Sequence, residues 1–411
     1  MKRESLWIWL ILACTCAAGT EDSEMPLERW RHAVDIGPVS GYADRHTIHS
    51  YYLACPESPD GNKILFYVSE TREGEHGDLV VRDRHTGIET VVARDIDTED
   101  AHRVACQQWI SREEKIAYHD VKAGRWSVHV VDLNTGLNRI VAEDRQLGFG
   151  RAVDNVLPLY GPHWKPGSHR GLELLNVETG DVREVVSITA VQDRYGEWLT
   201  KEFSERPTSI YFPILSPDGN RVFFKIAAPG PQAAAGNFRS PLASHRQGTF
   251  VFDLVANRFI FMRPVWGHPA WLPDSRRIIE VHNTLFDTDT EHASAGVPIP
   301  GLPDLRAEHP SMSPDGKLFV IDGPLGKLET ESGQWGVVVC DVRGNSYQVL
   351  YRFDNSHGAR SWRKNHPHPV FSADGNRIYF NVNAGNYTQL YIAETRLRVA
   401  PTVIRNRRTA R

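Results

Sequence analysis

Residues 366–380 read His366-Pro367-His368-Pro369-Val370-Phe371-Ser372-Ala373-Asp374-Gly375-Asn376-Arg377-Ile378-Tyr379-Phe380. Two histidines lead into a short apolar run, an Asp-Gly turn follows, and a second β-rich run returns. Asp and Gly tolerate positive φ, so this pair between two such runs marks a hairpin. Variants of the same sentence recur. Their turns fall at Asp60-Gly61, Glu113-Glu114, Asp154-Asn155, Asp218-Gly219, Asp274-Ser275, Asp315-Gly316 and Asp374-Gly375. The spacing is roughly fifty residues, the period of a repeated supersecondary unit. Three turns carry Ser-Pro-Asp-Gly outright, beginning at Ser58, Ser216 and Ser313.

Each unit continues alike. A strand-like run follows the turn, as at 63–67 and 221–224. A variable loop leads to a third run ending near Asp, as at 127–133, 249–254 and 337–342. A Thr-Gly turn such as Thr179-Gly180 precedes a fourth run, as at 182–186. Four antiparallel strands repeated in this way describe a propeller blade. The expected fold is all-β, a seven-bladed β-propeller spanning 30–395. The seventh unit lacks a clear fourth strand, and 31–36 is expected to supply it, so that no blade is left with an open edge. No long amphipathic helix is expected.

The 411 residues are 41% hydrophobic and 24% charged, a normal balance for a globular chain. A formal net charge of -4 gives no reason to expect a nucleic-acid partner. Residues 1–19 have a basic start, an apolar run too short to span a bilayer, and a small-residue end, which is the pattern of an export signal. Ile11-Leu12-Ala13-Cys14 also resembles a lipoprotein cleavage box, so the expected location is secreted or periplasmic, with a lipid anchor as the one route to a membrane. Three cysteines remain beyond the signal: Cys55, Cys106 and Cys340. They make no disulfide framework, and free thiols are expected, with Cys55–Cys106 the pair to check. Residues 396–411 read as a basic tail. A monomer is expected.

Ligands of a propeller gather where innermost strands begin and where the second and third strands are joined. Counting six residues back from each turn Asp or its equivalent gives Ala54, Gln107, Gly148, Phe212, His268, His309 and His368. Three consecutive units thus place a His-Pro at the channel. His366 lies two residues before His368, and His282 ends a second strand. Converging imidazoles suit Zn or Mn. A second polar group falls in units 2 to 4: His102, His119, Tyr160, His163, Tyr211, and the Ser-His-Arg pairs His169-Arg170 and His245-Arg246. Arg pairs with an acid group, while Tyr or His moves a proton α to it and protonates the leaving oxygen. No phosphate loop, dinucleotide fingerprint, nucleophile elbow or glycosidase carboxylate pair accompanies them.

The Ser-Pro-Asp-Gly repeat resembles TolB-type propellers. The set Gly267-His268-Pro269, Glu308-His309-Pro310 and His366-Pro367-His368-Pro369 is similar to oligogalacturonate lyases and propeller ulvan lyases, which cleave uronic-acid glycans by β-elimination. The resemblance implies an acidic polysaccharide or oligosaccharide substrate. Its ulvan-lyase version implies His102, His119, Tyr160 and Arg170 as the catalytic set, Tyr211 and Arg246 on the substrate, and a structural Zn on His268, His282, His309 and one of His366 or His368. Its oligogalacturonate version implies a catalytic Mn on His309, His366 and His368, with His268 as base and Arg246 on the carboxylate. There a Gln of the family pattern falls on Arg363. The ulvan-lyase version is the first expectation, and a non-catalytic TolB-like binding propeller is the competitor.

Overall fold

The computed structural model describes residues 26–111, 114–151, 154–280, 282–290, 295–302, 309–327 and 333–396. These form seven four-stranded antiparallel sheets. In the first six the strands follow chain order, which makes each a meander. Blade 1 lies within 46–97, blade 2 within 108–143, blade 3 within 146–186, blade 4 within 209–263, blade 5 within 270–298 and blade 6 within 311–354. Blade 7 takes three strands from 370–395 and its outermost from Val34–Pro38, with Ile36 opposite Ala393. The ring therefore closes as expected, on a strand three residues later than 31–36 begins. Arg31 belongs to a short helix, Glu28–Arg31, whose Trp30 packs edge-on against Phe371 of blade 7.

The Ser-Pro-Asp-Gly turns show why the repeat is spelled that way. Ser216 Oγ donates to Asp218 at 2.6 Å and accepts the Arg221 N–H at 3.0 Å. Gly219 sits at φ 76°, which only glycine adopts without strain. The same serine–aspartate clip recurs at Ser313 and Ser372. Each clip fixes the register of the two innermost strands, and hence the height at which the residues before them meet the channel. The strands bury valine, isoleucine and phenylalanine between neighbouring blades. Leu318, Val320, Val337 and Val339 of blade 6, for example, share one cluster with Phe371, Ile378 and Phe380 of blade 7.

Contrary to the sequence reading, a 16-residue helix, Ile188–Phe203, joins blades 3 and 4. Ser187 caps it by accepting the Ala190 N–H, and Ile188, Val191, Leu199 and Phe203 pack on Val222, Phe224 and Phe250. Its apolar stripe is thin, it carries Gly196 and two threonines, and it kinks at Tyr195. Those features hide the 3.6-residue period. Cys55, Cys106 and Cys340 are all free thiols. Among the described residues no helix is long and apolar enough to cross a membrane. The export signal at 1–19 and the tail beyond Arg396 lie outside the described residues.

Candidate functional site at the channel mouth

His102, His309 and His368 converge at the axis from three loops, each leading into the first strand of its blade: blades 2, 6 and 7. Their ring nitrogens lie within 4.8 Å of one another, and all three side chains are buried. Ring centroids are 4.3 Å apart for His309–His368 and 4.5 Å for His102–His368. Burial lowers His102 and His368 well below 6.5, reinforced for His102 by Arg363 and for His368 by neighbouring histidines, so both rings are neutral.

The hydrogen bonds around the cluster leave its nitrogens available to a cation. His309 Nδ1 is 3.1 Å from both oxygens of Asp322, while its Nε2 has no hydrogen-bond partner. His102 Nδ1 donates to the Lys364 carbonyl at 3.1 Å, which leaves the Nε2 lone pair open. Both ring nitrogens of His368 are buried without a partner. Asp322 also accepts the backbone N–H of His309 and of His368. One carboxylate thus holds two of the three loops, and it does so although His368 stands at φ 47°, a left-handed conformation that a non-glycine residue keeps only under constraint. Two imidazoles whose far nitrogens are tied to oxygen, beside a third whose ring nitrogens are both without a partner, are a donor set that fits a divalent transition metal.

Of the histidines expected to hold metal, His309 and His368 meet here, together with His102, expected among the proton-transfer groups. His366 and His268 stand in the surrounding ring, with centroids 5.4 and 5.1 Å from His309. His282 is not in the cluster. It is exposed, in a turn at φ 66° that follows the blade 5 strand ending at Glu280.

Beside the histidines lies a second group. Tyr160 ends the second strand of blade 3, and His163 follows in its loop. Tyr211 is on the first strand of blade 4 and Arg246 on the third. Arg246 donates to His163 Nε2 at 3.1 Å and lies 4.9 Å above the Tyr211 ring. His163 and Tyr211 are 4.6 Å apart, and Tyr160 and Tyr211 5.6 Å. Since arginine only donates, His163 carries its proton on Nδ1, and that atom is buried without an acceptor. The Tyr160 hydroxyl is likewise buried and unpartnered.

Three arginines surround this group. Arg103 is paired with Glu99 at 2.8 Å, Arg363 with Asp100 at 3.3 Å, and Arg246 stands 3.9 Å from Glu99. Arg363 is the most exposed of them, at 24%. The loop that presents Glu99, Asp100, His102 and Arg103 is strained: Val104 and Cys106 both have positive φ, and for β-branched Val104 that is a true outlier. Asp100 pins it by accepting the N–H groups of His102 and Arg103.

Two expected residues are built into the frame. His119 Nδ1 accepts the Leu147 N–H, its ring meets the edge of Trp126, and burial pushes it down to about 3. Arg170 donates to the Thr208 carbonyl, bracing blade 3 against blade 4. Neither contact joins the Tyr160–His163–Arg246 group.

The fold and the site together define a seven-bladed propeller whose channel mouth joins a buried tri-histidine cluster to an arginine-rich Tyr/His group. No family model matches the chain, and no curated protein matches its sequence. Among solved structures it is similar to an oligogalacturonate lyase in complex with manganese, at 15% identity and a TM-score of 0.40 over 88% of this chain and 93% of that one. It is similar to the oligogalacturonate lyase from Vibrio parahaemolyticus at 14% identity and a TM-score of 0.39, with the same coverage. Similarity to TolB from Acinetobacter baumannii has 15% identity and a TM-score of 0.40 over 70% of this chain and 63% of that one. Likeness at this level is one of propeller architecture.

Proposed function

We propose that the protein is a carbon–oxygen lyase that cleaves a uronic-acid-containing glycan by β-elimination. The observation that carries the reading is the cation-rich mouth: Arg103, Arg246 and Arg363 stand around two tyrosines and a neutral histidine. β-Elimination needs a carboxylate neutralised, the proton α to it removed, and the departing glycosidic oxygen protonated.

In this scheme the substrate carboxylate draws Arg246 away from His163, uncovering the Nε2 lone pair. That nitrogen takes the C5 proton. The C5–H electron pair becomes the C4=C5 double bond, and the C4–O bond breaks. The Tyr160 hydroxyl gives its proton to the leaving oxygen. Both residues start in the required state. Burial, then Arg246 and Arg103, hold His163 well below 6.5, and burial raises Tyr160 well above 10.0 against the pull of Arg103. A divalent cation on His102, His309 and His368 would supply Lewis-acid charge toward the substrate carboxylate.

The test is a screen of ulvan, oligogalacturonate and other uronic glycans for the ultraviolet-absorbing unsaturated uronyl product. Absorbance on one of them supports the reading and names the glycan. Measurable glycan binding with no product from any of them would replace it with a non-catalytic binding propeller.

A further inference from the structure

Lys225 lies in the second strand of blade 4, in the apolar run Val222-Phe223-Phe224-Lys225-Ile226-Ala227. It is 2% exposed. Its place is a β-bulge, where pairing with the third strand shifts between Phe224 and Ile226. Bulges re-aim side chains next to sites. None of the ion pairs or hydrogen bonds among the described residues uses its ammonium, which lies 3.5 Å from the centre of the Trp266 ring. The carboxylate that attracts it most, Glu280, is engaged by Arg263 at 3.1 Å. Glu280 Oε1 has no hydrogen-bond donor, and Lys225 does not supply one.

A buried ammonium without a carboxylate costs several kcal/mol. Burial, with Arg246, Arg363 and Arg103 nearby, pushes Lys225 down to about 7 against the pull of Glu280. The residue also stands at the end of a continuous row. Arg246 covers Tyr211; Tyr211 stacks on Trp266 at 6.3 Å and 26°; Lys225 covers Trp266; and Trp266 meets the edge of His268 at 5.7 Å. Cations at both ends of one aromatic ledge are suited to two anionic groups, not one.

We infer that Lys225 on Trp266 is an anion subsite separate from Arg246, so that the sugar next to the scissile uronate carries its own acidic group, a carboxylate or a sulfate ester. This rests on the lyase reading for the identity of the first sugar. It does not rest on that reading for the binding of a polyanion.

Lys225→Met removes the charge and keeps the length of the side chain, and Lys225→Arg restores the charge. On a polyanionic glycan Lys225→Met should raise KM at least about tenfold, with kcat within about twofold, and Lys225→Arg should recover most of the loss. Desulfated and carboxyl-reduced glycans separate the two sources: the KM ratio of variant to wild type should collapse toward one on the substrate that lacks the recognised group. Titration calorimetry with sulfated and uronate oligosaccharides reads the subsite without turnover. If no glycan is cleaved but Lys225→Met loses polyanion binding, the lyase reading fails and the subsite stands. Unchanged polyanion affinity in folded Lys225→Met, or in Lys225→Gln should the first variant not fold, overturns it.

Discussion

Arg246 and His163 make the most testable pair in the molecule, because the arginine silences the nitrogen that the proposed reaction needs. With His163 held below 6.5 and Tyr160 above 10.0, kcat should stay level between those two pH values. A profile that falls with acid through 6.5 would show that the base is not held below an ordinary imidazole. Arg246→Ala should lower kcat/KM by about two orders of magnitude, measured as initial rates of absorbance increase. Lys225 carries a stability prediction of opposite sense to most ion pairs. Its folded pKa is depressed from 10.5 to about 7. Below the folded value it is charged in both states, and its burial is fully destabilising. As pH rises toward 10.5 the folded state loses the proton first, so stability climbs. Lys225→Met should therefore melt higher than wild type near pH 6, and the gap should narrow toward pH 10; a gap independent of pH would show that burial does not depress the folded pKa of Lys225. The sequence held more of this site than its motifs declared. The His-Pro register delivers His309 and His368, and the loop count delivers Tyr160, His163, Tyr211 and Arg246. Lys225 and Asp322 each interrupt an apolar strand, and a charge in such a run signals a partner or a ligand. Glu99, Asp100 and Arg103 left no such mark, because their loop owes its shape to strain and to Asp100, neither of which has a period.

The repeated turn is the element on which the geometry depends. The clip between Ser216 and Asp218 satisfies the Arg221 N–H inside a fully buried serine. Ser216→Ala leaves that N–H without its acceptor and should cost about 1–3 kcal/mol, read as a fall in thermal midpoint with the far-ultraviolet spectrum unchanged. A neutral result would show that the Pro-Asp-Gly backbone alone fixes the turn. The turns were legible because each needs particular atoms at particular places. Blade 1 is less regular: its innermost strand is His46–Ile48, and the chain wanders through Tyr51 and Tyr52 before the turn, touching the second strand again only at the Glu57–Ile64 bridge. That detour brings Tyr51 and Tyr52 against His368 and His309, at 4.7 and 5.1 Å, and so floors the histidine cluster. No period records a detour, and the helix before blade 4 has a period too faint to read, because its apolar stripe is thin and the helix kinks at Tyr195.

At the scale of the whole ring, the chain is closed twice. Val34–Pro38 completes blade 7 by five backbone pairings with the strand ending at Thr395. The histidines join blades 2, 6 and 7 across the axis. The first closure is part of the fold; a cation held by the three histidines would add the second. Metal that binds only the folded ring stabilises it by an amount set by its concentration over Kd, about 4 kcal/mol at a thousandfold excess. Purified protein should accordingly hold close to one equivalent of a divalent metal, and chelation should lower its thermal midpoint. His309→Ala is the decisive variant, although it destabilises for a second reason by leaving Asp322 buried without its imidazole. The comparison that isolates the metal is therefore the difference in midpoint with and without added cation, taken within each protein. Wild type should show a clear difference, and His309→Ala almost none. Equal differences in the two proteins would mean that the cation binds elsewhere and that the three histidines merely pack.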